Sequence, residues 1–211
     1  MEKLLSNFYV EWSLFIIFIT FVAIASIDVL KNKHNIDIKN KLNYKNIDFK
    51  FLLKMIFLSL GLRIIMEYYL IPTNENDVFI PIGAIQLIVQ FIATCIFAPI
   101  CEEIIFRFSI YEYLNKKGIS SIFSIIIITS ITFAIIHFYG INATIILVII
   151  SYIWNYTYYK TNNLLYPILL HFIHNLHAIM SNFITNNNFY INFSVLSIVI
   201  FIILSIKRQK H

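Results

Sequence analysis

Ala98-Pro99-Ile100-Cys101-Glu102-Glu103-Ile104-Ile105-Phe106-Arg107 is the stretch that decides the fold: two carboxylates and a guanidinium close an apolar run that begins at Pro81. An ionisable group at membrane depth costs about 2.5–3.5 kcal/mol on insertion scales, so such groups persist mostly where they act. Further apolar runs, near or above the roughly 18-residue spanning length, lie on both sides. They fall at 12–30, 51–70, 82–101, 119–138, 141–159, 164–183 and 189–206. These runs predict an all-α protein, a polytopic transmembrane bundle of about seven spanning helices. No internal repeat is visible, and the longest hydrophilic segment, 31–50, is too short to be a domain. A single membrane domain over 1–211 is therefore expected, with its chemistry in about 82–183.

Composition agrees. Of 211 residues, 59% are hydrophobic and 13% charged, with only four glycines, and mean hydropathy is +0.78. These values exclude an ordinary soluble domain, a collagen-like chain and a disordered one. Cys95 and Cys101 share one apolar run without metal-ligand or framework spacing, so they read as inert packing residues. The first run contains Ala23-Ile24-Ala25, which resembles a signal-peptide cleavage site, but Glu2 and Glu11 spoil the basic leader and the run is long; a retained anchor is expected.

Lysines set the expected orientation. With the N-terminus outside, the cytoplasmic loops carry Lys31, Lys33, Lys39, Lys41, Lys45 and Lys50, then Lys116 and Lys117, then Lys160, then Lys207, Arg208 and Lys210. The opposite loops hold Glu75, Asp77 and the uncharged Asn186-Asn187-Asn188. This positive-inside pattern predicts a multi-pass cell-membrane protein with its N-terminus out and C-terminus in the cytoplasm. The net charge of +5 then needs no nucleic-acid partner, because anionic lipid headgroups answer it.

Spacing divides the acidic motif. At about 100° per residue, Glu103 and Arg107 lie roughly 40° apart on a helix and Glu102 points about 100° away. Glu103 and Arg107 can neutralise each other as an i,i+4 structural ion pair, leaving Glu102 to face a polar cavity as a general base. An ion network at a membrane edge uses the same three residues, and the acidic motif alone leaves both readings open. Downstream, His137 ends the apolar segment from Phe133, while His171 and Asn175 share a helix face in a run that opens with Tyr166-Pro167, the proline fitting a first helical turn. A lone histidine at a helix end is commonly interfacial, and a His-Asn pair can bridge helices for stability alone. His174 and His177 point to other sides and read as packing residues.

Taken in order, the glutamate motif, Phe133-x-x-x-His137 and His171-x-x-x-Asn175 resemble the intramembrane CAAX protease and bacteriocin-processing family, also called CPBP or Abi proteins. The resemblance covers about 99–178. It implies an intramembrane endopeptidase acting on a membrane-associated, lipidated or small peptide substrate, with Glu102, Glu103, His137, His171 and Asn175 catalytic and Arg107 beside them. Glu102 would activate water while Asn175 and His171 stabilise the oxyanion. His137 and His171 are candidate ligands for Zn²⁺, in keeping with the metalloprotease label the family carries, although a metal-free mechanism uses the same residues. The alternative within the family is a non-catalytic bacteriocin-immunity protein or membrane-signalling scaffold. Phe108 stands where a glycine often follows the arginine, and 150–156 lacks the small glycines that bring helices close. Depth is the remaining strain. Counting 1.5 Å per residue from the cytoplasmic turns puts Glu102 at roughly 18–20 Å, His137 near 27 Å and His171 near 10 Å.

Overall fold

The computed structural model describes residues 2–70, 83–119, 121–181 and 187–206. Among these the chain is helical, with no strand, and its seven long helices follow the seven apolar runs. They are α1 (Glu2–His34), α2 (Phe49–Leu70), α3 (Ala84–Lys116), α4 (Ile122–Ile135), α5 (Ile141–Thr161), α6 (Leu165–Ser181) and α7 (Asn187–Ser205). A 3₁₀ turn at Ile38–Lys41, capped by the Asp37 carboxylate accepting from the Lys39 N–H, precedes α2. Three helices are long and apolar enough to cross a membrane by themselves: Phe8–His34, Ala84–Lys116 and Ile141–Thr161. The apolar stretches in α4 and α7 are shorter. Large exposed side chains such as Phe18 and Phe21 on α1, Ile131 on α4 and Ile203 on α7 fit a bundle with lipid as its outer solvent. This is a membrane protein.

The third apolar run closes at Cys101 and its helix continues to Lys116, 33 residues in all, as the depth count from the cytoplasmic turn supposes, because Glu102, Glu103 and Arg107 are buried inside the bundle and need no water. The fourth stops at Ile135, short of 138, where Phe138 takes the left-handed conformation with φ 52°. Glu75 and Asp77 lie outside the described residues.

Helix α3 is not uniformly α-helical. Ile92–Phe97 and Ile104–Ile110 have π-helical hydrogen bonding and flank the α segment Ala98–Glu103. Such widened turns are rare and frequent at functional sites. Helices α2, α5 and α6 pack around a core built on Met55, Phe106, Phe133, Ile150, Trp154 and Leu170. A second core of Leu30, Phe108, Tyr111, Ile125 and Tyr158 fills the end towards Lys116. Phe108, at the position where a glycine was the family expectation, is fully buried there. Close approach comes instead at Gly61 of α2, where a Cβ would meet Ile198 and Ser197 of α7 at 3.1 Å.

Candidate active site

Four helices bring the expected residues together. Glu102 and Glu103 come from the α segment of α3, His137 from just beyond α4, and His171 and Asn175 from α6. Trp154 and Ser151 arrive from α5.

Glu103 and Arg107 are both 0% exposed and their side chains pair at Nε to Oε2 3.0 Å and Nη1 to Oε1 3.1 Å, while Nη2 donates to Ser151 Oγ at 2.7 Å. The guanidinium also lies over Phe133, 4.4 Å from the ring centre, and faces Trp154 at 5.4 Å. A buried cation is tolerable only when paired and hydrogen-bonded, and Arg107 is held by a carboxylate, a hydroxyl and two π faces. The i,i+4 pair read from spacing is thus the pair that forms. Ser151 and Trp154 were not read as site residues; a serine and a tryptophan three apart on one face of an apolar helix are the signal that pointed to them.

Glu103 does a second task. Its Oε1 accepts from His171 Nδ1 at 2.9 Å, since a carboxylate already held by arginine only accepts. The ring is fixed by stacking on Trp154 at 4.6 Å and by the edge of Phe133 at 5.8 Å. His137 is fixed similarly: its Nδ1 lies 2.7 Å from the Phe133 carbonyl, which can only accept, so Nδ1 carries the proton and caps the end of α4. Both histidines therefore turn Nε2 towards Glu102. Glu102 Oε2 lies 3.6 Å from His137 Nε2 and 3.8 Å from His171 Nε2, is buried, and has no hydrogen-bond partner among the described residues. One carboxylate is consumed by structure; the other is left over.

Asn175 is placed differently from the expectation of a free oxyanion donor. Its Nδ2 donates to the Thr94 carbonyl at 2.7 Å. In the π segment the Ala98 N–H reaches Ala93 O, so the same register assigns Thr94 O to residue 99, which is proline and has no N–H. The Asn175 amide supplies the missing donor. His174 does not face the glutamates: its Nε2 meets Ser59 Oγ at 3.0 Å and its carbonyl accepts from Arg63 Nη1 at 2.7 Å. Cys95 and Cys101 are free and buried, as packing residues are.

His137, His171, Trp154 and Asn175 line a cavity of about 180 Å³ together with Arg63, Glu67, Tyr139 and Ala143; Glu102, expected to face a polar cavity, is buried behind the two histidines and is not among the lining residues. Arg63 and Glu67, ion-paired at 2.7 Å, were not singled out in the sequence. Pairing of Nδ1 with a carboxylate or carbonyl is how ligand histidines are oriented, but among the described residues no three His, Cys, Asp or Glu side chains are grouped to hold a metal ion. As placed, the set does not close a metal cage.

Residues 84–177 match the family described as type II CAAX prenyl endopeptidase Rce1-like. The match spans the glutamate motif, His137, His171 and Asn175, is consistent with the resemblance to the CPBP family, and supports a protease. No curated protein and no solved structure matches the chain.

Proposed function

We propose that the protein is an intramembrane endopeptidase in which Glu102 is the general base. The observation that carries this is the division between the two glutamates: Glu103 is held by the Arg107 ion pair and the His171 hydrogen bond, while Glu102 Oε2 makes no hydrogen bond and has only the longer ion-pair contacts to the His137 and His171 Nε2 atoms. A water held against Glu102 Oε2 gives up a proton to it as its oxygen attacks the substrate carbonyl carbon. The C–O bond forms and the carbonyl π pair moves to oxygen. A protonated His137 or His171 donates from Nε2 to that oxyanion. The C–N bond then breaks, and Glu102 returns its proton to the leaving amine. Glu103 holds the His171 ring in register throughout, and Trp154 and Phe133 keep it from rotating.

Zn²⁺ held by His137 and His171 is the second reading, favoured by the two Nδ1-anchored rings whose Nε2 lone pairs converge on one carboxylate. The substrate class follows the family: a membrane-associated, lipidated or small peptide. The test is product analysis of such peptides with the purified protein in detergent, wild type against Glu102→Gln. Cleavage by the wild type and its loss in the variant are expected. Undiminished turnover in the variant removes Glu102 as the base, and a folded wild type that cleaves none of them favours the non-catalytic immunity or scaffold role.

A further inference from the structure

We infer that the cavity lined by His137, His171 and Asn175 opens on the extracytoplasmic face of the membrane, so that the substrate peptide reaches it from outside the cell. Two independent distributions point the same way. The first is burial along the cavity wall. On α5, Trp154 (2% exposed), Ile150 (2%) and Ile146 (4%) form its depth, Ala143 is half-buried, and Tyr139 in the turn before α5 is 57% exposed. Glu67, in the last turns of α2, is the wall's most exposed charged side chain at 31%.

The cavity floor is closed by hydrogen bonds. Level with Trp154, Arg107 donates to Ser151 and Asn155 donates to Ser130 at 2.9 Å, and beyond them Tyr158 donates to Glu112, which Lys41 also reaches at 2.7 Å. Asn155 is fully buried and Tyr158 nearly so. Among the described residues this layer separates the cavity from a second one of about 210 Å³ that Lys41, Glu112, Tyr158 and Asn162 line at the other end, and the first has its mouth at the turn between α4 and α5.

The second distribution is charge. The mouth lies at the end of the bundle where α2 and α6 finish and α3 and α5 begin, and the sequence at 71–83, 136–140 and 182–186 contains no lysine or arginine. The connections at the other end carry Lys31, Lys33, Lys39, Lys41, Lys45, Lys116, Lys117 and Lys160. Positive charge in short loops marks the cytoplasmic side, which puts the mouth on the opposite one. For the peptide the consequence is direct: an exported or externally supplied chain meets the site, and a protein anchored by lipid to the cytoplasmic leaflet does not. That consequence rests on the protease reading; the direction of opening does not.

Labelling of single cysteines decides it without any assay of cleavage. Cys95 and Cys101 are buried, so the wild type gives the background for Phe138→Cys and Ala143→Cys at the mouth and Lys117→Cys at the other end. Phe138 is 90% exposed, so its replacement leaves packing intact. A membrane-impermeant maleimide is applied to cells before and after permeabilisation. Phe138→Cys and Ala143→Cys should label in intact cells, several-fold above wild type, and Lys117→Cys only after permeabilisation. The reverse pattern overturns the inference. So does labelling of Phe138→Cys in intact cells with Ala143→Cys silent in both conditions, because the mouth is then outside but the cavity is not open to it. If the labelling comes out as expected and supplied peptides still survive, the protease reading fails and the direction of opening stands.

Discussion

Two adjacent glutamates with different partners should fail differently. Glu102→Gln keeps the size and hydrogen bonding of a side chain whose only ion-pair contacts are the long ones to His137 and His171, so insertion and thermal stability should stay near wild type while cleavage falls by about 10²–10⁴-fold, the usual worth of a general base. Glu103→Gln should instead lower the melting temperature, because it leaves Arg107 without a counter-charge in a fully buried setting, and breaking such a pair costs about 3–5 kcal/mol. Equal melting temperatures for the two variants would count against this division. Zn²⁺ is decided at the same scale by metal content. If His171 is a ligand, the purified wild type should hold about one equivalent and His171→Ala much less; equal metal in both, or only traces in the wild type, leaves His171 as a donor to the oxyanion. The pairing of Glu103 with Arg107 was legible because helical spacing alone brings i and i+4 together. The link from Glu103 to His171 was not, since nothing in the sequence says how α3 and α6 are rotated against each other.

At the scale of elements, the seven runs of apolar residues were enough to lay out seven helices, but the internal form of α3 was not readable from them. Hydropathy does not distinguish an α turn from a π turn, and it closes the apolar run at Cys101 while the helix goes on to Lys116 with its charges buried in the bundle. The vacancy that Pro99 leaves at the Thr94 carbonyl gives Asn175 a role that is testable against that of an oxyanion donor. If Asn175 positions Glu102 through the turn it completes, Asn175→Ala should lose both stability and cleavage, and Pro99→Ala, by restoring an N–H to the chain, should recover a substantial part of each in the double variant. An oxyanion donor behaves otherwise: its loss lowers kcat with little change in melting temperature, and no change at residue 99 restores it. Absence of any recovery, with a stable Asn175→Ala protein, would return Asn175 to the chemistry.

Across the whole molecule the conflict in depth resolves. Counting residues put His171 roughly 10 Å above a cytoplasmic turn and His137 near 27 Å, as though every turn at that end lay in one plane. The turn before α6 does not lie at the surface. Leu164 is 0% and Asn163 4% exposed, because the segment between α1 and α2 folds beneath them. Leu164 N–H donates to the Lys41 carbonyl at 2.7 Å, Asn163 Nδ2 to the Asn43 carbonyl at 2.7 Å, and the Asp48 N–H to the Tyr166 hydroxyl at 2.5 Å. This hydrophilic stretch, read from sequence only as a basic loop, is a plug that lifts the start of α6 and with it His171 to the level of Glu102. At the other extreme His137 lies past the end of α4, and its ring reaches back to the Phe133 carbonyl, which lowers it. The plug should therefore matter to a site it does not touch. Asn163→Ala removes a side chain that donates to Asn43 and accepts from the Asn43 and Leu165 N–H groups, and at about 1 kcal/mol for each net hydrogen bond it should lower the melting temperature by several degrees. Cleavage should fall with it, well short of the loss in Glu102→Gln, whereas Asn32→Ala, which breaks only an exposed contact to Asp28 within α1, should change neither. A melting temperature and turnover for Asn163→Ala equal to wild type would mean that α6 is held at its depth by helix packing alone.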